Sequence, residues 1–86
     1  MDRLDELRKK IDALDGELLL IISKRLEVVT EVGKIKKELG VPPLDSVRWS
    51  KVLEKGLAQA DALGLRRDFI KKILDTIHEE ALQIEQ

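Results

Sequence analysis

From Leu4 to Leu39 the chain returns to one apolar stripe at alternating steps of three and four. The stripe runs through Leu4, Leu7, Ile11, Leu14, Leu18, Ile21, Arg25, Val28, Val32, Ile35 and Leu39. That period predicts an amphipathic helix over residues 3–39. At about 1.5 Å per residue it is about 55 Å long. Gly16 interrupts a run of strong helix formers. Gly40 suits a C-terminal cap, and Pro42 and Pro43 forbid continuation. Asp45 and Ser46 are candidate N-caps for a second helix reaching to about residue 62, with Trp49, Val52, Leu53, Gly56, Leu57 and Ala60 on its apolar face. Gly64 ends it. Asp68 can then open a third helix with Phe69, Ile70, Ile73, Leu74, Ile77, Ala81 and Ile84 as its apolar face. No strand alternation, phosphate-binding glycine motif or internal repeat is present. The predicted fold class is all-α, with three helices, one very long, in a single domain spanning residues 1–86.

A first helix of this length exceeds what a small globular domain needs, so it must pack along its whole length on other helices. Aromatic residues make up only 2% of the chain, and 86 residues bury a thin core. Both observations favour an oligomer, and a homodimer is the simplest. Sixteen Lys and Arg against seventeen Asp and Glu leave a net charge of -1, so no basic field favours nucleic acid. No apolar run approaches the roughly 18 residues of a membrane span. The start of the chain is charged rather than signal-like, and there is no cysteine, which suits the cytoplasm.

One position breaks the stripe. A guanidinium stays charged at ordinary pH, so burying Arg25 costs several kcal/mol unless an anion meets it. No other stripe position carries an acid. Metal chemistry has little to work with, since there is one histidine and no cysteine, and no acidic spacing matches a known cage. A serine triad would have to use His78 as its base. What remains is a set of cations: Arg8, Arg25, Lys36 and Arg48, with Asp45 nearby. Arg25 and Lys36 share a helix face about 16 Å apart and could pinch a small dianion between their long side chains. Arg8 is about 25 Å from Arg25 along the same axis and cannot reach it within its own chain. In an antiparallel dimer crossing near Leu18 and Leu19, the second copy's Arg8 would arrive beside residues 28–30, and Gly16 would permit a close approach. The pattern points to a shared site, with one arginine in trans, for a compact ligand bearing more than one carboxylate.

Each position also has a plain structural reading. Arg25 can be a register device, Asp45 a helix cap, Trp49 a core residue, and Arg8, Lys36 and Arg48 solvated charges. Glu85 near the C-terminus would ordinarily be solvated. His78 reads as a boundary residue and is given no role.

The combination resembles the all-helical, type II chorismate mutases over essentially the whole chain. The likeness is carried by Leu7-Arg8-Lys9-Lys10-Ile11-Asp12-Ala13-Leu14-Asp15, by Arg25, and by Glu31-Val32-Gly33-Lys34-Ile35-Lys36. It continues through Gly40-Val41-Pro42 to Asp45 and Arg48, then Leu63-Gly64-Leu65, Phe69-Ile70 and Ile77-His78-Glu79-Glu80. The resemblance implies an intertwined antiparallel homodimer of three-helix chains, each of whose two sites borrows one arginine from the partner. Carried over by position, Arg8 of the partner subunit and Arg25 would grip the substrate carboxylates. Lys36 would bond the ether oxygen and a carboxylate. Asp45 would lie near the ring hydroxyl, and Arg48 would support the network. The implied reaction is the pericyclic rearrangement of chorismate to prephenate, a step toward phenylalanine and tyrosine that uses no cofactor and no metal.

Three positions depart from the family's pattern. Trp49 stands where a glutamate usually contacts the ring hydroxyl. Ala81 replaces a small polar residue. Glu85 replaces the glutamine that donates to the ether oxygen, and could donate there only when protonated. The same fold also supports an isochorismate-pyruvate lyase, a mutase for the amino analogue of chorismate, and a non-catalytic dimerisation or regulatory module.

Overall fold

The first helix, α1 (Arg3–Leu39), opens and closes with its own side chains and backbone. Asp2 accepts a hydrogen bond from the Asp5 backbone N–H at 2.8 Å, which satisfies one of the free donors of the first turn. Asp5 and Glu6 lie at the positive end of the helix dipole, and Lys36 and Lys37 at the negative end. Gly40 stops the helix in the left-handed region, at φ 69° and ψ 26°. Its N–H and that of Val41 return to the last carbonyls, with Val41 N to Lys36 O at 3.0 Å. The same device ends α2 (Ser46–Leu63), where Gly64 has φ 73° and Leu65 donates to Ala60 O at 2.8 Å. Asp45 is the N-cap of α2 and accepts from the Arg48 N–H at 3.0 Å. The third helix, α3 (Arg67–Glu85), begins one residue before the position expected from Asp68. Its N-cap is Arg66, with no side-chain capping bond. Asp68 sits inside the first turn, where its charge still favours the positive end of the dipole.

The structure is a computed structural model and describes residues 2–86. Its dimensions are 58 × 24 × 15 Å, a rod set by α1. Among the described residues α3 packs against both other helices, while α1 and α2 do not touch each other. The α2–α3 seam is tight at Gly56, where a Cβ would lie 2.5 Å from Leu74 Cδ1, and at Ala60, which is 2% exposed. No helix is long and apolar enough to cross a membrane.

The stripe read along α1 is not the one that packs inside the chain. Leu4, Leu7, Ile11, Leu14, Leu18, Ile21, Val28, Val32, Ile35 and Leu39 are all exposed, from 40% at Leu7 and Val32 to 70% at Leu39. The residues that turn toward α3 are Ile22, Leu26, Val29, Gly33 and Lys36, one position further around the helix. A glycine and a lysine interrupt that second stripe, so its apolar signal is the weaker of the two. Gly33 is buried because α3 lies directly on it: a Cβ there would be 3.0 Å from Glu85 Cα. Gly16 meets nothing within its own chain. Arg25 is exposed in the single chain, so the desolvation cost expected from its place on the stripe does not arise there.

Candidate active site

The three helices converge on a cavity of about 380 Å³ near the C-terminal end of α1. α1 contributes Arg25, Val28, Val29, Val32 and Lys36, all within one sector of its surface. The link and first turns of α2 contribute Pro43, Asp45, Arg48, Trp49 and Val52. α3 contributes His78, Ala81 and Glu85, residues three and four apart and so on one face. The volume suits a small molecule, and the lining follows the usual pattern of apolar walls with a few placed polar groups.

Lys36 is the most constrained cation. Its side chain is 22% exposed, and its Nζ donates to Pro43 O at 2.5 Å. It also lies 2.5 Å from Glu85 Oε1. An ammonium has three protons, so the bond to Pro43 O leaves donors for a ligand in the cavity that Lys36 lines. The Glu85 side chain is 8% exposed, and Oε1 is ion-paired without a hydrogen bond of ordinary angle. A buried carboxylate oxygen in that condition is uncommon outside functional sites. Glu85 is therefore not the solvated terminal acid that its place in the sequence suggests. It is held there by Gly33, whose missing side chain lets α3 press its backbone against α1.

Asp45 holds the first turn of α2 through its bond to the Arg48 N–H. This fixes the start of a helix whose positive end and Arg48 guanidinium border the same cavity. Trp49 is half-buried in the wall, and its indole lies flat on the His78 imidazole, with ring centroids 3.9 Å apart and planes 7° from parallel. The cavity thus gathers three cations, Arg25, Lys36 and Arg48, with apolar walls between them. Such a set can hold a compact dianion at both ends.

Seven of the eight residues singled out from the sequence line this one cavity: Arg25, Lys36, Asp45, Arg48, Trp49, Ala81 and Glu85. Arg8 does not. Its side chain is 66% exposed and lies 4.0 Å from Asp5, about 25 Å along α1 from Arg25. Sequence reasoning missed Val28, Val29, Val32, Pro43, Val52 and His78 as site residues. For His78 the available signal was its spacing, one turn before Ala81 and two before Glu85 on the same face.

An all-helical domain with three cations around an apolar-walled cavity between its helices is built to bind a compact anionic small molecule. Comparison with known proteins gives the family. The type II chorismate mutase family matches residues 7–86, and the chain belongs to it. It is 38% identical over 74 residues to the T-protein of Haemophilus influenzae, covering 86% of this chain and 20% of that protein. It is 31% identical over 84 residues to the 4-amino-4-deoxychorismate mutase of Streptomyces venezuelae, covering 98% of this chain and 82% of that one. Among solved structures, a conserved hypothetical protein from Pyrococcus furiosus superposes with a TM-score of 0.76 at 31% identity, covering 100% of this chain and 99% of that one. The chain spans about a fifth of the length of the T-proteins it matches.

Proposed function

We propose that this chain is an isomerase that rearranges chorismate to prephenate, working as an antiparallel homodimer in the cytoplasm. The observation that carries the reading is the convergence of Arg25, Lys36, Arg48 and Glu85 on one apolar-walled cavity in a chain of this family. The reaction breaks the ether C–O bond and forms a C–C bond in one pericyclic step. No nucleophile or base is required of the protein. Its work is to hold the diaxial conformer with both carboxylates bound, and to stabilise charge growing on the ether oxygen. Arg25 and Arg48 supply the ground-state grip. Lys36, held by Pro43 O and lining the cavity, supplies the contact that strengthens in the transition state and so raises turnover rather than affinity alone.

Glu85 faces the same region. When ionised it opposes charge on the ether oxygen, and when protonated it donates to it.

The second copy accounts for two features. It covers the exposed stripe on α1, which includes a run apolar on every side at Leu18, Leu19, Leu20 and Ile21, each at least 55% exposed. It also brings in Arg8 of the partner subunit as a further cation for the substrate carboxylates. A second reading, a mutase for 4-amino-4-deoxychorismate, is favoured by the relative of that name that the chain matches over nearly its full length. Incubating purified protein with chorismate, isochorismate and 4-amino-4-deoxychorismate separately, and resolving the products, tests these readings together. Prephenate from chorismate is the expected result. Pyruvate from isochorismate, or turnover of the amino compound alone, would replace it with the corresponding activity.

A further inference from the structure

The start of α2 is the least supported wall of the cavity. Among the described residues α2 packs on α3 alone, and not on α1. The tight part of that seam, at Gly56 and Ala60, lies roughly two to three turns further along α2 than Arg48. From residue 44 to residue 51 every residue except Trp49 is exposed. Trp49 is thus the first side chain by which α2 is anchored, and it lies on the His78 ring of α3, at 3.9 Å and 7°. On the other side of Asp45 and Arg48 the link is tied at Pro43, whose carbonyl accepts from Lys36 Nζ. The two polar residues that α2 brings to the cavity therefore sit on a short segment between two anchors. One is a hydrogen bond to α1, the other a ring stack on α3.

Arg48 depends on that segment for its place. Asp45 meets its backbone N–H rather than its guanidinium. Among the described residues no carboxylate pairs with that guanidinium, so the course of the backbone decides where it stands. Arg25 is differently placed, inside a continuous helix, and Lys36 is held by Pro43 O and Glu85. A dianion gripped at both ends needs the spacing of its cations fixed, because small misplacements weaken such a grip steeply. A stacked ring pair favours one arrangement over a loosened one by roughly two- to tenfold.

We propose that Trp49 and His78 are positioning residues, whose stack braces the start of α2 and sets the distance of Arg48 from Arg25 and Lys36 across the cavity. Their effect on the ligand runs through Arg48. The imidazole contributes a plane rather than a hydrogen bond, so a carbocyclic ring can replace it. This inference rests on the proposed reading of the cavity as a chorismate site.

The test compares kcat and KM for chorismate in wild type, His78→Ala, His78→Phe, Arg48→Ala and the double variant with alanine at 48 and 78. His78→Ala should raise KM at least threefold and up to about tenfold, with kcat within about twofold, the signature of a lost ground-state grip. His78→Phe restores a planar ring without nitrogens and should recover most of that loss. In the Arg48→Ala background the same His78→Ala change should move KM less than twofold, because the residue it acts through is gone. Trp49→Ala breaks the pair from the other helix and should raise KM as His78→Ala does. Trp49 is the only tryptophan, so acrylamide quenching of its fluorescence reads the stack without turnover. Quenching should rise in His78→Ala and return toward wild type in His78→Phe. If wild type turns over no chorismate, the proposed activity fails, and dissociation constants for chorismate from calorimetry take the place of KM in the same comparison. A rise in KM below threefold in His78→Ala overturns the brace. So does a His78→Phe variant as impaired as His78→Ala, which would make the imidazole a direct ligand contact. An equal effect with and without Arg48, the mark of a merely structural role, or no binding of chorismate by wild type overturns it too.

Discussion

Lys36 donates to Pro43 O and is ion-paired with Glu85 within its own chain. That geometry gives the residue-scale predictions their direction. Lys36→Ala removes the donor expected to strengthen in the transition state and should cost about 10²–10³ in kcat, the usual cost of losing one such donor. Glu85→Gln replaces a carboxylate with an amide that donates at every pH. It should raise the neutral-pH rate. An unchanged neutral-pH rate in Glu85→Gln would take Glu85 out of the chemistry. Arg25→Leu separates an enzyme from a scaffold. It restores the apolar stripe, so the melting temperature should hold or rise, while activity falls at least about 10²-fold, roughly 3 kcal/mol of transition-state binding at ~1.4 kcal/mol per decade. A thermal melt and an initial-rate assay on the same preparation read both.

At the scale of elements, two glycines do different work. A Cβ at Gly33 meets the backbone of α3, 3.0 Å from Glu85 Cα, whereas one at Gly56 meets the far end of Leu74. Backbone can yield only by moving a helix; a leucine terminus can change rotamer at a cost of about 1 kcal/mol. Each Gly→Ala change gains about 1 kcal/mol of helix propensity. Gly56→Ala should therefore be near neutral in denaturant unfolding. Gly33→Ala should be less stable than Gly56→Ala and should lose activity out of proportion, since it shifts Glu85. Equal stability and full activity in both would show that α1–α3 contact at Gly33 does not position the site.

The same contrast marks what the sequence could say. Gly40, Gly64 and Asp45 act locally, through φ or a three-residue bond, so element boundaries were readable to within a residue. The stripe that α1 turns toward α3 was not, because its key members, Gly33 and Lys36, are chosen for approach and charge rather than apolarity. Seven site residues followed from cation spacing and the family pattern. His78 did not, because its spacing from Ala81 and Glu85 marks a shared face but not the Trp49 ring it meets on another helix.

At the scale of the molecule, the chain is a rod 58 Å long, with most of the large aliphatic residues of α1 uncovered. A second copy lying antiparallel on it would bury that stripe and carry each Arg8 to the other chain's cavity. Sedimentation should return the mass of two chains, and Leu18→Lys at the expected crossing should shift it toward one chain with loss of activity. A wild-type mass of one chain with full activity would contradict the shared site.

The most direct test of that claim mixes two inactive proteins. Arg8→Ala and Arg25→Ala homodimers should each be nearly inactive toward chorismate. After subunit exchange at equal concentrations, about half the dimers are hybrids, and each hybrid holds one site with both arginines intact. Prephenate formation should then recover to about a quarter of the wild-type rate. Exchange proven by mass with no recovery of activity, or full activity in either single variant, would contradict the account.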